Sequence, residues 1–254
     1  PAMNIHRNPL CGRNFEYLSE DPVLTGKLAA AITRGVQSVD GCYATVKHFA
    51  CNNLEDNRNH SDSIIHERAL REIYLKGFEI CVREAQPKAL MTSYNLLNGV
   101  YTADSHDLCT AILRNEWGCD GMVITDNVLT QYVNGPDGVL AGVSIYDAMM
   151  SFVTDTLPKY KNDPVIVTAM REACHHNLYA IANSCGMNGV GADTTIKVTR
   201  PTVVTMSIII ACASTFFCLL GIVMWIIGGI KFRKTEEYKA YKDFKKSLKA
   251  AKKA

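Results

Sequence analysis

Asp126 closes a short apolar run, Met122-Val123-Ile124, that follows Gly121 and is continued by Thr125. Such a run reads as a buried strand, and a strand ending on a carboxylate presents that group beyond the sheet's carboxyl edge. In parallel α/β architectures that edge is where ligands and chemistry sit. Alone, the pattern equally fits a turn former or a helix cap. Other strand ends add to it: Arg7 after Asn4-Ile5-His6, Arg13 in the loop that follows, Lys47-His48 after Ala44-Thr45-Val46, and Tyr94-Asn95 after a run from Ala89. One carboxylate among two or three cations, a histidine and a tyrosine suits a polyhydroxylated ligand better than a phosphate, because sugar hydroxyls need both donors and acceptors. Taken singly, His48 also fits a satisfied core histidine, and Arg13 a partner of Glu16 or Glu20. Their joint order along successive strand ends is what speaks for a site.

The elements that must position these residues alternate between strand and helix. A helix from Asp21-Pro22 carries Val23, Leu24, Leu28, Ala31 and Ile32 at helical spacing. Ser63 and Glu67 have the spacing of an early helix turn, continued through Leu70, Ile73, Tyr74, Phe78 and Ile80 to about Glu84. A third helix runs through Leu108, Ile112 and Leu113. Beyond Asp126, residues 133–138 read as a Gly/Pro-bearing loop, residues 139–145 as one more strand, and Pro164 as the start of a last helix. Strand alternating with helix implies βαβ units and a parallel sheet with right-handed crossovers. His175-His176 falls on the late helix, away from the strand ends, and reads as structural, as do Asp155 and Asp163.

Charge is divided unevenly. From Lys231 onward there are 10 Lys/Arg against 3 Asp/Glu, so the rest of the 254 residues carries 17 basic and 22 acidic side chains. An acidic body without a basic, aromatic-interleaved run argues against nucleic acid as a partner. The ten cysteines form no CxxC pair and no zinc-ligand spacing, and read as small buried hydrophobes. In an exported domain that usage suits a reducing or anaerobic exterior. The amino end, Pro1-Ala2-Met3-Asn4, has no signal-peptide pattern and reads like the middle of something. From Val203 to Ile230 no residue is charged, a length of 28 where about 20 residues cross a bilayer. Trp225, Lys231, Arg233 and Lys234 beside it fit an interfacial anchor with a cytoplasmic tail. Tyr238, Tyr241, Phe244 and Leu248 recur among lysines at helical spacing, as in a basic helix on anionic headgroups or a solvated charged tail.

The motifs Asn4-Ile5-His6-Arg7, Gly12-Arg13-Asn14-Phe15-Glu16, Ser19-Glu20-Asp21-Pro22, Lys47-His48-Phe49 with Asn52-Asn53 and Arg58, Glu67-Arg68 with Arg71-Glu72, Met91-Thr92-Ser93-Tyr94-Asn95, Trp117-Gly118 and Thr125-Asp126 resemble, in order, the amino-terminal barrel domain of family three glycoside hydrolases, the β-glucosidase and β-xylosidase group. The resemblance covers residues 1 to about 127. It implies that Asp126 is the catalytic nucleophile and that Arg13, Lys47, His48 and Tyr94 hold the sugar. The chemistry implied is retaining hydrolysis, with a glycosyl-enzyme on Asp126 and a second carboxyl group as acid and then base. Lys47 and Arg13 are expected to keep Asp126 ionised. No cofactor and no metal are implied. Two departures stand out: Asn127 occupies the place of the family's usual Trp, and the acid/base Asp-His pair of one subgroup has no match in the loop after Phe49, despite His60.

The fold expected from this resemblance is α/β, a partial (β/α)8 barrel lacking its first strands, followed by one transmembrane helix. The expected organisation is a barrel domain over residues 1–188, a linker over 189–202, a membrane helix over 203–230 and a basic cytoplasmic tail over 231–254. The family's sandwich domain, which usually donates the acid/base, does not follow the barrel here. The chain therefore looks like the carboxyl-terminal piece of a membrane-anchored, domain-reversed enzyme whose upstream sandwich domain is a missing partner. The expected function is an exo-acting β-glycosidase acting on β-linked oligosaccharides at the outer face of a cell membrane. The alternative is an inactive, membrane-anchored carbohydrate-binding or scaffold protein.

Overall fold

In a computed structural model that describes residues 1–128, 132–148, 153–188, 190–191, 193–195, 197 and 199–251, the chain divides into two compact units, Pro1–Val190 and Gly191–Ala254. Residues 189, 192, 196 and 198 of the expected linker and 252–254 of the tail lie outside the described residues.

The first unit opens on a segment that pairs with the sheet through a single parallel bridge, from Ala2 to Lys47, so Asn4 to Arg7 do not extend a strand. Asp21 caps helix α1 (Pro22–Gln37), its carboxylate accepting the Leu24 N–H at 2.6 Å, with Pro22 in the first turn. The apolar stripe Val23, Leu24, Leu28 and Ile32, however, is 41–50% exposed. The buried face is Thr25, Gly26, Ala29, Ala30 and Thr33. The reason is a close helix crossing: a Cβ on Gly26 would lie 2.8 Å from Ile80 Cβ and 2.9 Å from the Gly77 carbonyl oxygen, so only small residues fit there.

Strand β1 (Thr45–Phe49) follows, and then a two-residue strand, β2 (Asp62–Ser63). Ser63 therefore pairs in a sheet rather than capping a helix, correcting the expected helix start. The helix itself runs as α2 (Glu67–Ala69), a wide π-type turn over Leu70–Tyr74, and α3 (Lys76–Ala85). Strand β3 (Ala89–Thr92) leads into a hairpin of β4 (Leu96–Leu97) and β5 (Val100–Tyr101), whose turn puts Asn98 and Gly99 at positive φ. A π-type helix, Asp107–Glu116, then returns the chain to β6 (Met122–Ile124).

The main sheet is parallel with order β1-β3-β6. Sequential parallel strands joined by helices make it a βαβ arrangement. Phe49, on β1, meets Phe78 of α3 edge-on at 5.2 Å and Trp117 at 5.9 Å between ring centroids, which ties sheet and helices into one core with Leu90, Leu113 and Val123. A second sheet, β2-β4-β5, is formed from the segments that leave the carboxyl ends of β1 and β3.

Residues 133–145 depart from the expected loop and strand. Helix α4 (Gly135–Ala141) starts with Pro136 in its first turn and stops at Gly142, whose φ of 106° is left-handed. Only Ile145 pairs with the sheet, as a single parallel bridge to Ile124. Helix α5 (Pro164–Ala182) begins at Asp163, whose carboxylate accepts from the Val165 and Ile166 N–H groups, and His175-His176 lies on it, as expected. Cys11, Cys51, Cys81, Cys109 and Cys119 are buried, while Cys174, Cys185, Cys212 and Cys218 are exposed.

The second unit contains α6 (Thr202–Phe232), 31 residues long and unburied along its length, and α7 (Glu236–Ala251). By length and composition α6 suffices to cross a bilayer.

Candidate active site

The carboxyl ends of β1, β3 and β6 bring His48, Tyr94 and Asp126 together. His48 lies inside β1 with 1% of its side chain exposed, and its Nε2 is 3.4 Å from Asp126 Oδ2. Asn4 fixes the backbone there: its side-chain amide donates to the His48 carbonyl at 2.9 Å and accepts the His48 N–H at 3.0 Å. The segment before β1 thus replaces a strand pairing with one buried side chain.

Asp126 follows β6 directly. Its Oδ1 accepts the Asn127 N–H at 2.8 Å, and its backbone carbonyl accepts from the Tyr132 hydroxyl. The preceding Thr125 is buried and its hydroxyl accepts the Asp147 N–H at 2.9 Å, so chain on both sides of the carboxylate is held. Tyr132 packs edge-on against Tyr94 at 4.9 Å between centroids and lies 6.2 Å from Tyr101. Among the described residues, His48 Nδ1 and Asp126 Oδ2 have no well-aligned hydrogen-bond partner, although both are buried. Unpaired buried polar atoms are uncommon and call for a partner.

The cations are arranged differently from expectation. Arg13 is bonded to Glu16, and Lys47 Nζ lies 3.2 Å from the other oxygen of Glu16. Glu16, which the sequence also offered as a partner of Arg13, thus holds both cations. Glu16 wins because it sits three residues after Arg13, in the 3-10 turn Asn14–Glu16 that turns it back toward β1. Arg58, part of the motif after Phe49 but not among the residues expected to hold the sugar, lies over the Tyr94 ring at 4.5 Å and is bonded at 2.7 Å to Glu55. Arg7 is exposed and borders a separate small cavity with Cys51 and Leu54.

Electrostatics sort the titratable groups. Burial, reinforced by the charges of Arg13, Lys47 and Arg58, holds the His48 imidazole down at about 2, so the ring is neutral at physiological pH. Burial, then the charge of Asp126, pushes the Tyr94 phenol up to about 12, so it remains a proton donor. Burial first raises Glu16, but its bonds to Arg13 and Lys47 prevail and leave it below the usual carboxylate range. The result is an ionic Glu16 cluster beside a neutral ring and a phenol that flank one carboxylate.

A cavity of about 440 Å³ lies elsewhere, at the start of β6, lined by Arg114, Asp120, Glu172 and His176 among others. Arg114 spans it as a strut, donating to the carbonyls of Gly121 and Gly142 at 3.0 Å each. Among the described residues no three His, Cys, Asp or Glu side chains converge to hold a metal ion.

Residues 1–140 match the Glycosyl hydrolase family 3 N terminal domain. Over 126 residues, half of this chain, it is 61% identical to beta-glucosidase A of Butyrivibrio fibrisolvens and 60% identical to a beta-glucosidase of Ruminococcus albus. The chain spans 15% and 13% of the length of those two relatives. Among solved structures, beta-glucosidase 3B of Thermotoga neapolitana in complex with α-D-glucose superposes with a TM-score of 0.69 at 40% identity, over 74% of this chain and 27% of that one.

Proposed function

From the premise that this chain belongs to glycosyl hydrolase family 3 through its residues 1–140, we propose that it forms part of a retaining, exo-acting β-glycosidase of β-glucosidase type. The observation that carries this reading is the pairing of buried His48 with Asp126 at 3.4 Å at the carboxyl ends of β1 and β6. A neutral imidazole and a neutral phenol on either side of a carboxylate can donate to and accept from sugar hydroxyls.

In this reading Asp126 attacks the anomeric carbon as the bond to the leaving oxygen breaks, and a glycosyl ester forms. Tyr94 steadies the attacking carboxylate, and His48 engages a sugar hydroxyl. Lys47 and Arg13, held by Glu16, present their remaining donors to the sugar. A second carboxyl group protonates the leaving oxygen and later takes the proton of the attacking water. Glu16 and Glu55 are both committed to ion pairs, so we assign that role to chain outside these 254 residues. Helix α6 anchors the enzyme in a membrane with the first unit outside and the tail in the cytoplasm, in line with its length and with Lys231, Arg233 and Lys234 at its end.

Two substrates test the reading. Loss of an acid costs about 10² to 10⁴-fold in rate when the leaving group needs a proton. The chain by itself should therefore cleave an activated aryl β-glucoside slowly, releasing the β-anomer first by proton NMR, and leave cellobiose intact. Release of the α-anomer first contradicts retention, and robust cellobiose turnover contradicts the assignment of the acid to other chain.

A further inference from the structure

We propose that α7 lies on the surface of a bilayer and binds anionic lipid headgroups through a groove between its tyrosines and lysines. This rests on the reading of α6 as a membrane anchor. The two helices are joined by only three residues, Arg233, Lys234 and Thr235. Three residues reach roughly 10 Å, about the Debye length at physiological salt, so the first turn of α7 cannot leave the electrostatic field of the surface where α6 ends. The corner is built: the Thr235 hydroxyl accepts the Tyr238 N–H at 3.3 Å, and the Tyr238 ring packs on Phe232, the last residue of α6, at 5.7 Å between centroids.

The faces of α7 are sorted for such a surface. Tyr241, Phe244 and Leu248 recur at spacings of three and four and are 46–62% exposed, an apolar stripe open to its surroundings. Lys242, Lys245 and Lys246 lie along one side of that stripe. With Tyr238 and Tyr241 they line a groove of about 210 Å³, and Lys245 sits 5.8 Å from the centre of the Tyr241 ring. Lys239 is taken by Glu236 at 2.7 Å, and Glu236 and Asp243 fall on the far side of the helix. Only Glu237, in the first turn, breaks the pattern. Aromatic rings beside ammonium groups match the boundary between acyl chains and phosphate, and each lysine near an anionic surface adds roughly fivefold to binding.

The test uses the full chain in vesicles with its tail accessible, following amide hydrogen exchange across α7. Exchange should be on the order of tenfold slower in vesicles containing phosphatidylserine than in phosphatidylcholine alone. The double change Phe244→Asp with Leu248→Asp should abolish this protection, and Lys242→Gln, Lys245→Gln and Lys246→Gln together should remove the difference between lipids. Equal exchange in both lipids, or protection indifferent to these changes, overturns the proposal. Inorganic phosphate should compete no better than chloride at equal ionic strength; better competition would assign the groove to a free anion and overturn it as well. Flotation of all variants with phosphatidylcholine vesicles at alkaline pH reads α6 separately. If that fails, the anchor falls, and co-flotation of added chain with phosphatidylserine vesicles still decides the case for α7.

Discussion

Replacing His48 by Gln removes a buried ring that the site keeps neutral, and it should do so with a pH signature. The folded imidazole is held at about 2 by burial and then by Arg13, Lys47 and Arg58, while an unfolded histidine titrates near 6.5. Between these values the unfolded chain binds a proton that the folded chain refuses, so stability is fully present above about pH 6.5 and is lost as pH falls. The slope approaches 1.4 kcal/mol per unit, which amounts to about 2 kcal/mol between pH 7.5 and pH 5. The Asp126 carboxylate at 3.4 Å opposes this by favouring the imidazolium. Urea unfolding of the full chain in detergent, at both pH values, should show the parent losing about 2 kcal/mol more than His48→Gln. Parallel losses in the two proteins, or an imidazole resonance of the folded chain titrating near pH 6, would refute the reasoning and show that Asp126 wins.

Asn4→Ala deletes both hydrogen bonds to the His48 backbone and leaves a buried N–H and C=O unpaired, a loss of about 2–4 kcal/mol in chemical denaturation; a change below about 0.5 kcal/mol, the usual size for a surface site, would show that Asn4 is not the clamp described. Gly26→Ala places a methyl group against Ile80 and the Gly77 carbonyl, and should cost about 1–3 kcal/mol, whereas Gly35→Ala on the open side of the same helix should stabilise or do nothing. Protease added to intact cells should remove the first unit and spare a tag placed after Ala254; protection of the first unit would contradict the proposed orientation of α6.

Much of the site was legible because strand ends announce themselves. The apolar runs before Lys47-His48, Tyr94 and Asp126 mark the three strands that form the sheet, although β1 runs on through Lys47 and His48 to Phe49. Partner choice was less legible. Glu16 captures Arg13 and Lys47 by proximity in a 3-10 turn, and no spacing rule distinguishes that from a bond to Asp126. Tyr132 was missed, and Arg58 was not placed against the site, for a similar reason: each meets the Tyr94 ring, a contact made only after folding. The buried face of α1 was misread because hydrophobicity pointed to Val23, Leu24, Leu28 and Ile32, while Gly26 and Gly77 set the helix crossing. The Asn98-Gly99 turn was a signal present in the sequence and left unread, and it marks the hairpin of the second sheet.

The central claim is that Asp126 is the nucleophile. A 2-deoxy-2-fluoro-β-glucoside with a dinitrophenyl leaving group needs no acid for departure, and the fluorine slows turnover of the glycosyl ester, so the adduct accumulates even where the second carboxyl group is absent. Digestion and mass spectrometry of the treated chain should place the sugar on the peptide containing Asp126, and Asp126→Asn should remain unlabelled. Labelling of Asp104, Asp120 or Asp147 instead, or none under conditions where the parent binds glucose, would contradict the account.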